Sequence, residues 1–186
     1  MSNTTDPQPA SARPTILLWL ALGVSLVAVA GSLYLSLGMN LKACPLCFYQ
    51  RTFAMSLVGV LGLGLCAGAD KGLRPGMLGL LALPLATGGL GVAAFHVSLE
   101  VSGKLECPAG VLGLGTGPQQ SLAVFALIFA LVIGDVLRGA KTWALPALGL
   151  GGLFALASCI SNPPMPEARP YDKPPDVCRP PYRSTT

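Results

Sequence analysis

The residues with the clearest chemical potential are two cysteines, Cys44 and Cys47, which Arg51 follows four positions later. If Cys44 caps a helix, Pro45 takes the first helical position, where its fixed φ and missing N–H do no harm. Both sulfurs then lie near the positive end of the helix dipole, which favours thiolates over thiols. Arg51 projects from the same helical face as Cys47, one turn deeper. The motif predicts a redox-active thiol pair with a cation that stabilises a thiolate or the charge on an electron acceptor.

The same two cysteines have other interpretations. As half of a zinc site they would need two further ligands, and the sequence contains no second CxxC and no pair of histidines. A thioredoxin-like fold would need a strand before the motif, whereas an apolar, helix-length segment precedes it. An inert structural disulfide stays open on spacing alone. Arg51 argues against an inert disulfide, because a charged residue at membrane depth is costly and usually functional.

The composition indicates a membrane protein. Of the 186 residues, 52% are hydrophobic and only 11% are charged, and the mean hydropathy is +0.64. Soluble domains carry roughly 25% charged residues. The net charge of +4 is spread over loops and termini without a basic cluster, which argues against a nucleic-acid partner.

Five predominantly apolar segments are long enough to cross a lipid bilayer, at about residues 15–37, 48–68, 75–99, 121–137 and 143–160. Because no water satisfies backbone groups inside lipid, each segment must be helical. The sequence therefore predicts an all-α integral membrane protein with one transmembrane domain, residues 15–160. Residues 1–14 are polar and predicted to be disordered on the cytoplasmic side, and residues 161–186 form a proline-rich tail.

The cysteines are sorted to one side of this arrangement. Five cysteines fall at one end of the predicted spans: Cys44, Cys47, Cys107, Cys159 and Cys178. Cys66 alone lies at the opposite end. Disulfides persist on the oxidising side of a membrane, so the CxxC, Cys107 and the tail are predicted to face the periplasm or the cell exterior.

The segment from Cys44 to Arg51 resembles the CxxC-(three residues)-Arg signature of the disulfide bond formation protein B (DsbB) family. The resemblance extends through the first four spans, roughly residues 15–137. His96 begins a segment, ending at Glu100, that resembles an HxxLQ-like element of the family. Cys107, in the following loop, matches the first cysteine of the family's second redox pair.

This resemblance implies a four-helix bundle in the inner membrane that reoxidises a thioredoxin-fold oxidase (DsbA) and passes electrons to ubiquinone or menaquinone. It further implies that Cys44 and Cys47 are the quinone-coupled pair, and that Arg51 and His96 belong to the quinone site, with no metal. Apart from the family, His96 is the only histidine in the chain, and histidine can supply a proton near neutral pH.

The sequence departs from the family in its second cysteine pair and in its additional fifth span. The family carries both cysteines of that pair between the third and fourth spans, whereas residues 100–120 contain only Cys107. Its partner must be Cys159 or Cys178. We favour Cys107–Cys178 as the second catalytic pair, because a Cys159–Cys178 bridge would leave Cys107 alone.

Two other functions compete with a quinone-dependent thiol oxidase. A vitamin K epoxide reductase-like enzyme shares the helix bundle and the quinone, but its quinone-facing CxxC usually lies in a later helix. A membrane protein that handles copper or zinc would use Cys44 and Cys47 as soft ligands.

Overall fold

The computed structural model describes residues 16–66, 76–163 and 175–182. Over these ranges the regular elements are helical, which confirms the all-α prediction. Two short 3-10 turns accompany the main helices, at Val111–Gly113 and Lys141–Trp143. The main helices are α1 (Ile16–Leu37), α2 (Pro45–Cys66), α3 (Met77–Val101), α4 (Gly117–Gly139) and α5 (Ala144–Ile160). The predicted disordered segment 1–14 and much of the predicted tail, residues 164–174 and 183–186, lie outside the described residues.

Among the described residues, five helical segments are long and apolar enough to cross a membrane. Their bounds differ from the predicted spans mainly at the helix starts. Helix α2 begins at Pro45 rather than near residue 48, with Cys44 immediately before it. Helix α4 begins at Gly117 rather than near residue 121, since Pro118 suits a first turn and the Gln119 side chain accepts the Thr116 N–H at 3.4 Å.

Helices α1 to α4 form a bundle in which α3 packs against α2 and α4, and α1 packs against the same two helices. Helix α5 lies along the remaining side of α3 and touches α2 and α4 only slightly. The bundle interior is filled by large aliphatic side chains with no exposed surface, among them Leu57, Leu61, Leu83, Ile128 and Val132. The fifth helix therefore adds to a four-helix core without interrupting it.

Glycines allow α3 to approach α4 and α5 closely. A Cβ on Gly89 would overlap the ring of Phe125 on α4. A Cβ on Gly151 of α5 would lie 2.5 Å from the Thr87 Cβ and 2.7 Å from the Pro84 carbonyl oxygen. In a membrane, where helices gain little from leaving lipid, such close packing is the main attraction between them.

The tail returns to the end of the bundle where α2 begins. The Lys42 N–H donates to the Asp176 carbonyl oxygen at 2.8 Å, and the Lys42 Nζ lies 3.1 Å from the Asp176 carboxylate. Glu106 and Arg179 exchange two backbone hydrogen bonds, of 2.8 and 3.0 Å, in an antiparallel bridge. Residues 176–179, called the tail strap below, are thus fixed between the loop after α1 and the loop after α3.

Candidate functional site

The two cysteines of the CxxC motif lie at the start of α2, with their Sγ atoms 2.7 Å apart. The Cys47 N–H donates to the Cys44 sulfur at 3.2 Å, as expected for a capping residue. Cys44 is 1% exposed. The hydrogen bond with Cys47 and burial together raise the pKa of the Cys44 thiol. The Cys44 thiol is therefore harder to deprotonate than an ordinary cysteine thiol.

His96, completely buried on α3, lies between the two groups of cysteines. Its Nε2 atom is 3.8 Å from the Cys44 sulfur and 3.6 Å from the Cys107 sulfur. Its Nδ1 atom is 3.4 Å from the Gln50 amide nitrogen. With that amide donating to Nδ1, the ring proton resides on Nε2 and faces the sulfurs.

The second cysteine pair is a disulfide between Cys107 and Cys178, with Cα atoms 4.2 Å apart. Cys159 and Cys66 are free thiols. Both sulfurs of the bond are buried, because the tail strap holds Cys178 beneath the loops. The Cys178 Sγ lies within 4.8 Å of the Sγ atoms of Cys44 and Cys47. The two thiol pairs are thus neighbours, although 71 residues separate Cys107 from Cys178.

A cavity of about 490 Å³ opens beside the CxxC pair. Its walls come from α1, the first turns of α2 and the first turns of α4, and they are mainly apolar. Cys47 and Cys178 both line it, together with Gln50 and Arg51. The pair is therefore asymmetric, because Cys47 faces the cavity whereas Cys44 faces His96.

Arg51 is one of two cationic residues that line this cavity, with Lys42, and α1 fixes its guanidinium. The Nε atom donates to the Ser32 hydroxyl at 2.9 Å, and Nη2 donates to the Ser32 carbonyl at 3.0 Å and to the Ser36 hydroxyl at 2.6 Å. The guanidinium carbon also lies 5.7 Å from the centroid of the Phe48 ring. Three hydrogen bonds and a cation–π contact hold the charge beside Cys47.

The structure brings all six predicted site residues to the same end of the bundle, although one of them does not line the cavity. The CxxC pair, Cys107 and Cys178 meet at one end of the bundle, and Arg51 reaches the cavity. His96, expected at the cofactor site, is not among the residues that line the cavity. It lies on α3, whereas the helical walls of the cavity are α1, α2 and α4.

Sequence reasoning missed the residues that support Arg51 and His96. Ser32 and Ser36 stand one turn apart on the otherwise apolar α1, a pattern that predicts one polar face directed at a partner. Gln50, 7% exposed, sits between Cys47 and Arg51 in sequence, but its contact with His96 depends on the packing of α3.

Sequence reasoning also discounted a metal site because it found only two ligands. Folding brings two more candidate donors close, since His96 and the disulfide-bonded Cys178 come within 4.8 Å of Cys44 and Cys47. Packing, and not proximity in sequence, therefore brings these four side chains together.

The chain is similar to a family of known proteins. The sequence model of disulfide bond formation protein DsbB matches residues 14–120. A probable disulfide formation protein of Deinococcus radiodurans is 43% identical over 137 residues, which cover 62% of this chain and 85% of that protein. Disulfide bond formation protein B 1 of Pseudomonas aeruginosa is 35% identical over 133 residues, which cover 69% of this chain and 74% of that protein. A probable disulfide formation protein of Chlamydia trachomatis serovar D is 32% identical over 126 residues, which cover 62% and 89%. No solved structure matches this chain.

Proposed function

This chain belongs to the DsbB family, and on that premise we propose that it is a membrane thiol oxidase that reoxidises a thioredoxin-fold dithiol protein of the DsbA kind and passes the electrons to ubiquinone or menaquinone. One observation carries the proposal. The Cys178 sulfur lies within 4.8 Å of the CxxC sulfurs, while Cys47 lines an apolar cavity that also contains the Arg51 guanidinium.

Electrons enter at the disulfide between Cys107 and Cys178. A thiolate of the partner attacks the Cys107 sulfur, which forms a partner–Cys107 disulfide and releases Cys178 as a thiolate. Because both sulfurs are buried, the tail strap must lift for the partner to reach them. Its ties to Lys42 and Glu106 lie in exposed loops, and such contacts open at little free-energy cost.

The released Cys178 is positioned to attack the oxidised CxxC pair. Attack on the Cys44 sulfur forms a Cys44–Cys178 disulfide and frees Cys47, which faces the cavity. The second thiol of the partner then displaces Cys107, leaving the partner oxidised. Cys107 in turn attacks Cys178, which restores the Cys107–Cys178 bond and leaves Cys44 and Cys47 as a dithiol. The two electrons and two protons of the partner dithiol have then moved to the CxxC pair.

The cavity is suited to an apolar electron acceptor. A quinone ring needs an apolar slot and a donor for the oxygen that becomes negative as electrons arrive. Residues of α1 and α4 supply the slot, and Arg51, held by Ser32 and Ser36, supplies the fixed donor. As the Cys44–Cys47 disulfide re-formed, the dithiol would give up its two electrons, through Cys47, and its two protons, which together convert a quinone into a quinol. Thioredoxin-fold oxidants of the DsbA kind have reduction potentials of about −120 mV, so the acceptor that reoxidises them must have a higher potential. For a two-electron transfer, each difference of about 30 mV in potential contributes about 1.4 kcal/mol of driving force.

We place the cysteine-bearing end of the bundle on the extracytoplasmic side of the inner membrane. The Cys107–Cys178 disulfide and both cysteines of the CxxC motif lie at this end of the bundle. Disulfides persist on the oxidising side of a membrane. In intact cells, a membrane-impermeant maleimide should label Cys159 after reduction and leave Cys66 unlabelled. Labelling of Cys66 alone would invert this orientation.

The proposed function is tested with purified protein, a reduced thioredoxin-fold partner and a quinone. We expect stoichiometric oxidation of the partner and reduction of the quinone, both abolished in Cys44→Ser and retained in the control Cys66→Ser, whose thiol lies at the other end of α2. Cys178→Ser should lose oxidation of the partner but still reduce quinone when a small dithiol reduces the CxxC directly. Quinone reduction that survives Cys44→Ser would contradict the proposal.

A further inference from the structure

Four possible metal ligands converge beside the cavity. They are Cys44, Cys47, His96 and Cys178, and one donor atom from each lies within 4.8 Å of all the others. Three of them, Cys44, His96 and Cys178, are buried. They come from three separate parts of the chain, the start of α2, the end of α3 and the tail strap. The cluster exists only in the folded bundle.

The donor set and its dimensions match a tetrahedral zinc site. Three thiolates and one imidazole form one of the common structural zinc sites. Bonds of about 2.3 Å to sulfur and about 2.0 Å to nitrogen place the donors about 3.5 to 3.8 Å apart in a tetrahedron. The Cys44 sulfur and the His96 Nε2 are 3.8 Å apart. The CxxC sulfurs, at 2.7 Å, would move apart by about 1 Å, which is within the reach of a side-chain rotation at a helix start.

We propose that the reduced protein binds one Zn²⁺ ion through Cys44, Cys47, His96 and Cys178. Reduction of the Cys107–Cys178 bond supplies the fourth ligand, since it frees the Cys178 sulfur while leaving the CxxC thiols in place. A phosphine reductant converts that bond into two thiols as it takes up oxygen from water. Binding of Zn²⁺ then displaces the protons of three thiols, and the ion joins the two redox pairs through one metal centre.

The surroundings of the cluster favour such an ion. Three thiolates and Zn²⁺ carry one net negative charge, which the helix start and the Arg51 guanidinium offset. A histidine that binds zinc through one nitrogen usually donates its other N–H to a nearby acceptor. Gln50 stands 3.4 Å from the His96 Nδ1, and half a turn of its amide presents the oxygen that this N–H needs. Cys159 packs at the edge of the same cluster but is not one of its four ligands.

The bound ion would act as a redox-dependent inhibitor, and this part rests on the proposed function. A zinc ion bound by its three cysteines blocks Cys178 and Cys44, between which thiol exchange must occur. It also blocks Cys47, the thiol that faces the cavity. Oxidised protein, with Cys178 bonded to Cys107, lacks the complete ligand set. Thiophilic metal should therefore stop the enzyme after reduction and not before it.

The test is a zinc and cobalt titration of detergent-solubilised full-length protein after reduction by a phosphine. We expect one ion per chain and, with Co²⁺, the intense absorption of tetrahedral thiolate coordination. Cys178→Ser and His96→Ala each remove a zinc ligand. They should weaken zinc binding by more than the roughly 10- to 100-fold that is typical when a hydrogen-bond partner of a ligand is removed. Gln50→Leu should fall within that range, and Cys159→Ser should bind as tightly as the wild type.

Three results would overturn the proposal. Reduced wild type that retains no zinc lacks the site, and Cys178→Ser that binds like wild type shows that the CxxC pair alone holds the ion. Equal binding by oxidised protein removes the dependence on the tail cysteine. Helicity by circular dichroism shows which variants remain folded. Because the titration contains neither partner nor quinone, a failed oxidase assay and a failed metal site give separate results.

Discussion

Replacing Arg51 by methionine tests the electron-accepting end of the site. Methionine keeps much of the side-chain volume but removes the charge and the three hydrogen bonds to Ser32 and Ser36. The freed serine hydroxyls can bond to backbone carbonyls of their own helix, so the bundle should persist. The change therefore isolates the cation that faces the cavity beside Cys47.

The expected loss follows from the role of a fixed donor at a developing negative charge. Removing one such donor typically lowers kcat by 10²- to 10³-fold, or about 2.7 to 4 kcal/mol. Arg51 is only partly buried, and water weakens its field, so we expect the lower limit of about 10²-fold. Arg51→Lys should lie between this variant and the wild type, because it keeps the charge but not the forked hydrogen bonds.

The assay separates the two halves of the reaction. Quinone reduction is measured with the CxxC pair kept reduced by a small dithiol, and thiol exchange is measured as the single burst of partner oxidation without quinone. Arg51→Met should slow the first and leave the second unchanged. For quinone reduction the matched control is Lys42→Met, since Lys42 lines the same cavity but its side chain is 76% exposed. If Arg51→Met reduces quinone as fast as this control, or if it slows both halves equally, Arg51 does not have the proposed role.

Three further results are expected. Gly89→Ala should lower the melting temperature in detergent, because overpacking against Phe125 destabilises the fold by about 1 to 3 kcal/mol. The control Gly152→Ala, which has open space at its Cβ, should change the melting temperature little. Equal melting temperatures of the two variants would contradict the close approach of α3 and α4. Lys42→Ala should speed reduction of the tail disulfide modestly, because an exposed ion pair between Lys42 and Asp176 stabilises the tail strap only weakly. An unchanged rate would show that the pair does not restrain the tail strap. The hydrogen bond from Lys42 lowers the pKa of Asp176, so the stabilisation of the tail strap by this ion pair is complete above the ordinary pKa of 3.8 and is lost as the pH falls through the lowered pKa. In acid, the tail disulfides of wild type and Lys42→Ala should therefore be reduced at the same rate. A difference that persists in acid would contradict the assignment of the effect to the Asp176 carboxylate.

Much of the fold followed from the sequence because hydrophobic length and backbone satisfaction leave few choices in a membrane. Five apolar segments predicted five helices, and their number predicted which loops share an end of the bundle. The helix starts were less predictable. Residues 45–47 and 117–120 have mixed polarity, and their helical state depends on proline placement and capping rather than on hydropathy.

The site was only partly predictable for a related reason. The CxxC and Arg51 lie on one helix, so spacing alone predicts their relative positions. The contact of His96 with two sulfurs, and the support of Arg51 by Ser32 and Ser36, depend on which faces of three helices meet. Periodicity determines those rotations poorly when helices are as largely apolar as α1 and α3 are.

The path of the Cys107–Cys178 bond has a consequence for how the protein is made. The chain between the two cysteines includes α4 and α5, so Cys178 reaches Cys107 only after both helices have entered the membrane. A ribosome that has just completed α4 has already delivered the CxxC, His96, Cys107 and the three helices that line the cavity, but not the last sulfur. The part of the protein proposed to accept electrons is therefore assembled first during synthesis. The Cys107–Cys178 disulfide, where electrons are proposed to enter, forms last.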